Sequence, residues 1–436
     1  MNVHKKFLYA IGFSLILVML ISQCASALKV VAVDSRMFLS VALCDDGKVM
    51  AWGEGGGYAS STPVFLNISD VKSVSVSNGD IFFLKTDGTV WATGGNYYGE
   101  LGIGTEETTM GIVQVIGLDN IVAISAGTDH VLALKGDGTV WAWGNNRYGE
   151  IGNGNVSHSQ PYPVMVDGLA NITCISAGYR VSMAVTRDGT LWAWGTNDNG
   201  ELGDGTNVHK SRPVRVDITD VKYVYAGQMG EIIAVKNDGT VWAWGANFFG
   251  QRGNGEYGKD LYTPTIVNGI SCVTEATVSV TASLAVTDDG MVWIWGENQG
   301  GIFGNGKLYG SSSTRPVQVS GLNNITHVAQ GWSHAVALSD DGTVWAWGDN
   351  VKNQVGNGAA VKNVLTPIMI ISGNSPKDGV PANNTLVQSN PTYSPDMTPS
   401  TMPQQNTGKN VMWLIGIMGI ALVVLLAVFI NKIRKS

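Results

Sequence analysis

Seven residues before each of seven Asp-Gly pairs, the chain holds Leu39, Asp80, His130, Val181, Glu231, Ala282 and His334. A histidine with a carboxylate is the pairing that general acid–base chemistry uses, provided both reach the reacting group. Asp80, His130, Glu231 and His334 on one ring around an axis would gather such groups at a channel mouth. The same four can equally serve as hydrogen-bonding strand residues, and the sequence leaves both readings open. No G-x-S-x-G, H-E-x-x-H, phosphate-loop or C-x-x-C pattern accompanies them. The glycine-rich loops Gly152–Gly154, Gly203–Gly205 and Gly253–Gly255 lack the alternating Asp ligands of a calcium loop, so they read as tight turns. No metal or cofactor is expected.

The element that must position these residues is a repeat. DGTVWAWG or a near copy begins at Asp46, Asp87, Asp137, Asp188, Asp238, Asp289 and Asp341, at spacings of 41, 50, 51, 50, 51 and 52. In the third copy, Ile121 to Ser125 and His130 to Lys135 read as strands. Asp137-Gly138 reads as a two-residue hairpin in which both residues tolerate positive φ. Val140 to Trp143 is the third strand, and Tyr162 to Val166 a fourth, with Pro163 tolerable on an outer edge. Twelve of the 14 tryptophans fall on third strands, with large rings on one face and Val or Ala on the other. Such strands need cover on both faces, which blades packed around an axis supply. The expected fold is therefore all-β: a seven-bladed propeller of four-stranded blades over residues 28–372. The first copy, GEGGGYASS, lacks the NxxGELGxG stretch and predicts one short loop there; the sixth drifts to NQGGIFGNG.

The pattern A-G-x-x-H-x-x-A-L…D-G-x-V-W-x-W-G-x-N-x-x-G-E-L-G-x-G resembles the repeat of the regulator-of-chromosome-condensation family. The resemblance implies seven blades of about 50 residues. The family's namesake is a nuclear guanine-nucleotide exchange factor that binds chromatin, while secreted members include a protein that blocks β-lactamases with one propeller face. The acidic balance of this chain argues against a nucleic-acid partner, and no GTPase partner is expected. Formal net charge is -7, and discounting the five terminal cations Lys5, Lys6, Lys432, Arg434 and Lys435 leaves -12.

The terminal segments read as addresses. Residues 1–27, with Lys5-Lys6, an apolar core and Ala25-Ser26-Ala27, form the pattern of a secretory signal. Residues 411–430 are 20 uncharged residues, long enough to span a bilayer, and the tail 431–436 carries Lys432, Arg434 and Lys435. Residues 373–410, rich in Pro, Ser, Thr and Asn, predict an extended stalk. A single-pass cell-membrane protein with an extracellular propeller is expected, and the sequons Asn67, Asn155, Asn171, Asn324 and Asn383 permit glycosylation. Cys24 lies in the signal. Cys174 and Cys272 are read as one register of two separate repeats, hence as buried free thiols rather than a disulfide.

Connections one and three of every blade lie on the same side of the disc. There the copies differ, at Tyr97, Asp129, Arg147, Tyr179, Asp198, Met229, Phe248 and Trp332. Varied residues on a constant scaffold read as a binding face. The expected function is a cell-surface interaction module for a protein or glycan, without catalytic activity. The alternatives are an envelope enzyme acting on polysaccharide and a structural envelope component.

Overall fold

In a computed structural model, seven antiparallel four-stranded sheets follow one another along residues 28–373, all of which are described except Met110 and Lys259. The sheets are blade one (Val30–Phe65), two (Val71–Gln114), three (Ile121–Met165), four (Ile172–Arg215), five (Val221–Ile266), six (Val273–Gln318) and seven (Ile325–Ile371). Within each blade the strands run in simple sequence order, so every neighbour is a hairpin partner. The first strands of successive blades pack against each other around the axis, making them the innermost. The expected signal segment, stalk, membrane helix and tail lie outside the described residues, apart from Gly373. Among the described residues no helix is long and apolar enough to cross a membrane.

The second strands are sealed on both faces; Leu39–Cys44 and His334–Ser339 are buried at every residue. The period-two pattern of the third strands does what the sequence implied. Trp52, Trp143, Trp194, Trp244, Trp295 and Trp347 are completely buried; in blades three to seven the tryptophan two residues earlier in the strand is half covered, and in blade one that place is taken by buried Met50. Truncating a ring of this kind costs about 3–5 kcal/mol. Each indole also ties its blade to the one before. Trp143 Nε1 donates to the Glu100 carbonyl at 2.6 Å, Trp194 to Glu150 at 2.7 Å, Trp244 to Glu201 at 2.9 Å, Trp295 to Gln251 at 2.6 Å and Trp347 to Ile302 at 2.6 Å.

The ring closes by the same bond, Trp52 Nε1 to the Gln354 carbonyl at 3.0 Å. The opening strand Val30–Arg36 pairs inside blade one and the final strand Asn363–Ile371 inside blade seven, so no strand is exchanged at the closure. The short loop foreseen in blade one is the two-glycine turn Gly56-Gly57, with φ of 60° and 77°.

Three details differ from the sequence reading. The Asp-Gly hairpins are not two-residue turns. Lys135 N donates to Thr139 O, and only Gly138 takes positive φ, at 83°. Asp137 instead accepts from Thr139 N at 2.9 Å and from its hydroxyl at 2.7 Å, so it serves as a turn acceptor. The fourth strand of blade three starts at Ser159, because Gln160 and Ser159 pair with Gly144 and Asn145 across a bulge. Cys272 is not in the register of Cys174: it precedes its strand, at φ 56°, and is exposed, whereas Cys174 lies half-buried within one. Neither is in a disulfide, nor is buried Cys44.

Candidate functional site

Asp80, His130, Glu231 and His334 are all buried at the entry to their second strands. His130 Nε2 lies 2.8 Å from Ser182 Oγ of blade four, and that hydroxyl donates to the Glu150 carbonyl at 2.8 Å. Its one proton being committed, Ser182 must accept from His130, which fixes the imidazole proton on Nε2. His334 Nε2 meets the hydroxyls of Ser35 and Ser40 in blade one, each at 2.8 Å. Burial lowers both imidazoles to about 3, so they are neutral near pH 7. Asp80 accepts from Ser77 Oγ at 2.5 Å and Gly95 N at 2.6 Å, and Glu231 from Met229 N at 2.8 Å. Burial raises each carboxyl to about 7. The imidazoles thus bond to serines across blade seams, and the carboxyls cap their own loops. No histidine–carboxylate hydrogen bond joins the four among the described residues.

The axis is occupied by a residue that sequence reasoning passed over. Arg36 stands where four other blades have Gly127, Gly178, Gly227 and Gly331. Its Nη1 donates to the Ala126 carbonyl at 3.0 Å, two blades away. Burial lowers its pKa, while Tyr225, Asp34, Asp129 and Glu231 pull the other way. A single arginine in a column of four glycines and two serines, Ser77 and Ser279, was the available signal. Asp34 beside it accepts from Val76 N at 2.8 Å, and burial raises it to about 6. Serines do the same job in the next seams: Ser75 for Ala126 N, Ser125 for Ala177 N and Ser176 for Ala226 N, each at 2.9 Å.

The connections between third and fourth strands are built on a buried asparagine. Asn96, Asn146, Asn197, Asn247, Asn298 and Asn350 each accept, through Oδ1, the backbone N–H five residues on, at 2.9–3.2 Å. Their amide nitrogens donate to carbonyls on the far side of the same loop, as Asn96 does to Thr105 and Glu107. A second brace is the carboxyl of Glu100, Glu150 and Glu201, which accepts the N–H two residues back at 2.8 Å in each case. These loops are therefore stiff, and the residue after each asparagine stands outward.

Tyr97, Arg147, Asp198 and Phe248 hold that position and are all exposed. Tyr179, Met229 and Trp332 come from first connections and are half-buried, while Asp129 is buried. Trp332 stacks on Phe38 across the ring closure, centroids 5.9 Å apart, and so packs under the face. Arg147 lies over Tyr98 at 5.1 Å and donates to His158 Nδ1 at 3.0 Å. Asp198 lies 3.5 Å from His209. Tyr98, Tyr148, His158, Arg180 and His209 join this cluster although sequence reasoning did not single them out.

Among the described residues no group of three His, Cys, Asp or Glu side chains could hold a metal ion. A shallow depression of about 600 Å³ on the opposite edge is lined by Lys72, Asp87, Asp119, Lys135 and Asp137. Its lysines are engaged, Lys135 with Asp119 and Lys72 with the Ile121 carbonyl. Asn67, Asn155, Asn171 and Asn324 are exposed; Asn383 lies outside the described residues.

The profile of the RCC1-like domain matches residues 61–381. The chain is 30% identical over 344 residues to the E3 ubiquitin-protein ligase HERC2 of Homo sapiens, covering 72% of this chain and 7% of that protein. It is 28% identical over 199 residues to the ultraviolet-B receptor UVR8 of Arabidopsis thaliana, 44% of each. The matched regions therefore span less than two thirds of either relative. Yeast RCC1 (Prp20), solved with Kap60, superposes with a TM-score of 0.65 at 20% identity, over 80% of this chain and 86% of that one. Human WBSCR16 gives 0.64 at 22% identity, over 72% and 85%. Both share its fold.

Proposed function

Because the chain belongs to the RCC1-like domain family, and its buried polar side chains serve to brace loops and join blades, we propose that it is an interaction module. It binds a protein partner on the face formed by first and third connections, with Tyr97, Arg147, Asp198 and Phe248 as first contacts. The asparagine-braced loops carry this reading. They hold unlike residues outward at one repeated position, and a surface already ordered loses little entropy on binding. Tyrosine and arginine are also common energetic anchors of protein interfaces. A glycan ligand, an enzyme acting on envelope polysaccharide and a structural envelope component are the competing readings.

The partner is proposed to be met outside the cell. Residues 1–27 support export, 411–430 a membrane anchor, and 373–410 a stalk between them. Protease added to intact cells is expected to remove the propeller; its full protection would overturn this placement.

Full-length chain in mild detergent tests the face by capture from surface extract. The combined variant Tyr97→Ala, Arg147→Ala, Phe248→Ala is expected to lose partners that Tyr162→Ala, on an outer strand, retains. Trp332 is left intact because it supports Phe38. Retention of every partner by the triple variant refutes the face.

A further inference from the structure

Two seams of the loop face each bring an arginine and a histidine onto one tyrosine, the arginine coming from a third connection at the first seam and from a first connection at the second. At the seam of blades two and three, Arg147 covers Tyr98 at 5.1 Å and His158 lies 5.2 Å from the same ring. One blade further, Arg180 covers Tyr148 at 5.0 Å and His209 lies 5.1 Å from it. Arg180 also lies over Tyr179 at 4.8 Å, and its Nη1 reaches Tyr148 Oη at 3.4 Å. The three arginine-over-tyrosine stacks among the described residues all fall on these two seams. The corresponding loop position in blade four is Asn199, so the arrangement is not a property of every repeat.

The two guanidiniums are held without an ion pair, although Arg180 stands near enough to the buried Glu150 carboxyl to pull its pKa down against the rise that burial causes. Neither has a carboxylate within ion-pair distance among the described residues, whereas Arg212 pairs with Asp167 and Lys352 with Glu54. Arg180 Nε is buried without a hydrogen bond. The residue itself sits at φ 55°, a left-handed conformation that costs a non-glycine residue energy and is kept where the surroundings demand it. Stacking fixes the guanidinium plane in advance, so little side-chain freedom remains to be lost when a planar anion arrives.

We propose that Arg147 and Arg180 are a recognition pair for a carboxylate-bearing segment of a partner protein. This rests on the loop-face reading and names the chemistry of its ligand. Guanidinium and carboxylate match as planar, two-pronged partners. A peptide is favoured over a polysaccharide for two reasons. The rings of Tyr98 and Tyr148 already carry arginine and histidine, so they are not open platforms for sugar stacking. The net negative body also repels a long polyanion while leaving room for a short acidic segment at one cationic spot.

The probe is a fluorescein-labelled hexapeptide of alternating Glu and Gly, titrated by anisotropy against full-length chain in mild detergent at low and high salt. Binding is expected, weakening with salt and vanishing when Gln replaces Glu. Arg147→Ala with Arg180→Ala is expected to weaken it at least tenfold, and Arg147→Lys severalfold, since lysine keeps the charge but not the fork. Arg212→Ala is expected to change nothing. If Arg180→Ala unfolds, exposed Arg147 carries the test alone. No binding by the wild type, equal binding by Arg147→Ala, or polygalacturonate bound through this pair in place of the peptide each overturns the proposal. Loss of partner capture by Tyr97→Ala with Phe248→Ala, alongside any of those results, leaves the loop face standing and removes only the carboxylate chemistry.

Discussion

Glu231 offers a direct measure of what the buried carboxyls do. It sits at the entry to the second strand of blade five, buried, accepting the Met229 N–H, and burial raises it to about 7 from an ordinary 4.5. At about 1.36 kcal/mol per pH unit, that difference makes the ionised carboxylate cost the fold about 3 kcal/mol. The sign follows from linkage. Below pH 4.5 both folded and unfolded chains are protonated and no penalty exists. Between 4.5 and 7 the unfolded chain has lost its proton while the fold keeps it, so stability falls as pH rises. Above 7 both are ionised and the full penalty stands. Glu231→Gln removes the titration and keeps an oxygen for the Met229 N–H. In reversible urea melts it should match the wild type near pH 4.5 and exceed it by about 3 kcal/mol at pH 8.5. Parallel curves for the two proteins would show that Glu231 is solvated or paired in the fold, and would refute the reasoning.

The imidazoles predict the opposite slope. His130 and His334 are held near 3, below their ordinary 6.5, so their contribution is lost as pH falls from 6.5 toward 3, and His334→Gln should flatten the melting profile over pH 6 to 4. Trp244→Phe keeps most of the ring but leaves the buried Glu201 carbonyl without its donor, so chemical denaturation should register a loss of about 2–3 kcal/mol. Thr93→Trp, which installs in blade two the residue six other blades carry, should destabilise by about 1–3 kcal/mol; a raised midpoint would sink that expectation.

The blades were legible because their determinants are local and periodic. Alternation of Trp with Val or Ala, a turn glycine every 50 or so residues, and proline confined to outer strands all act within one hairpin. The errors came where a few residues of backbone decide the outcome. Asp137 tolerates positive φ, but only Gly138 takes it, since the carboxylate is worth more as an acceptor for Thr139. Cys272 lies three positions before the register of Cys174, which separates an exposed turn from a half-buried strand. The four strand-entry residues were found by counting, but their direction was not. Whether His130 faces the axis or Ser182 depends on the neighbouring blade, about 50 residues away in sequence.

That dependence on the neighbour was nevertheless written in the sequence, as two departures that belong together. Blade one lacks the NxxGELGxG stretch, and blade two alone has Thr93 where the others have their buried tryptophan. In the six regular seams that indole donates to a carbonyl supplied by the preceding blade's long loop. Without the long loop the carbonyl is gone, and a tryptophan at 93 would be left with a buried, unpaired N–H. Tyr58, the first residue of the strand after the shortened loop, fills the seam instead and places its hydroxyl 3.4 Å from Thr93 Oγ1. The unit of design is therefore the seam rather than the blade. The same holds for the seams carrying Arg147 over Tyr98 and Arg180 over Tyr148, where residues of adjacent repeats build one feature.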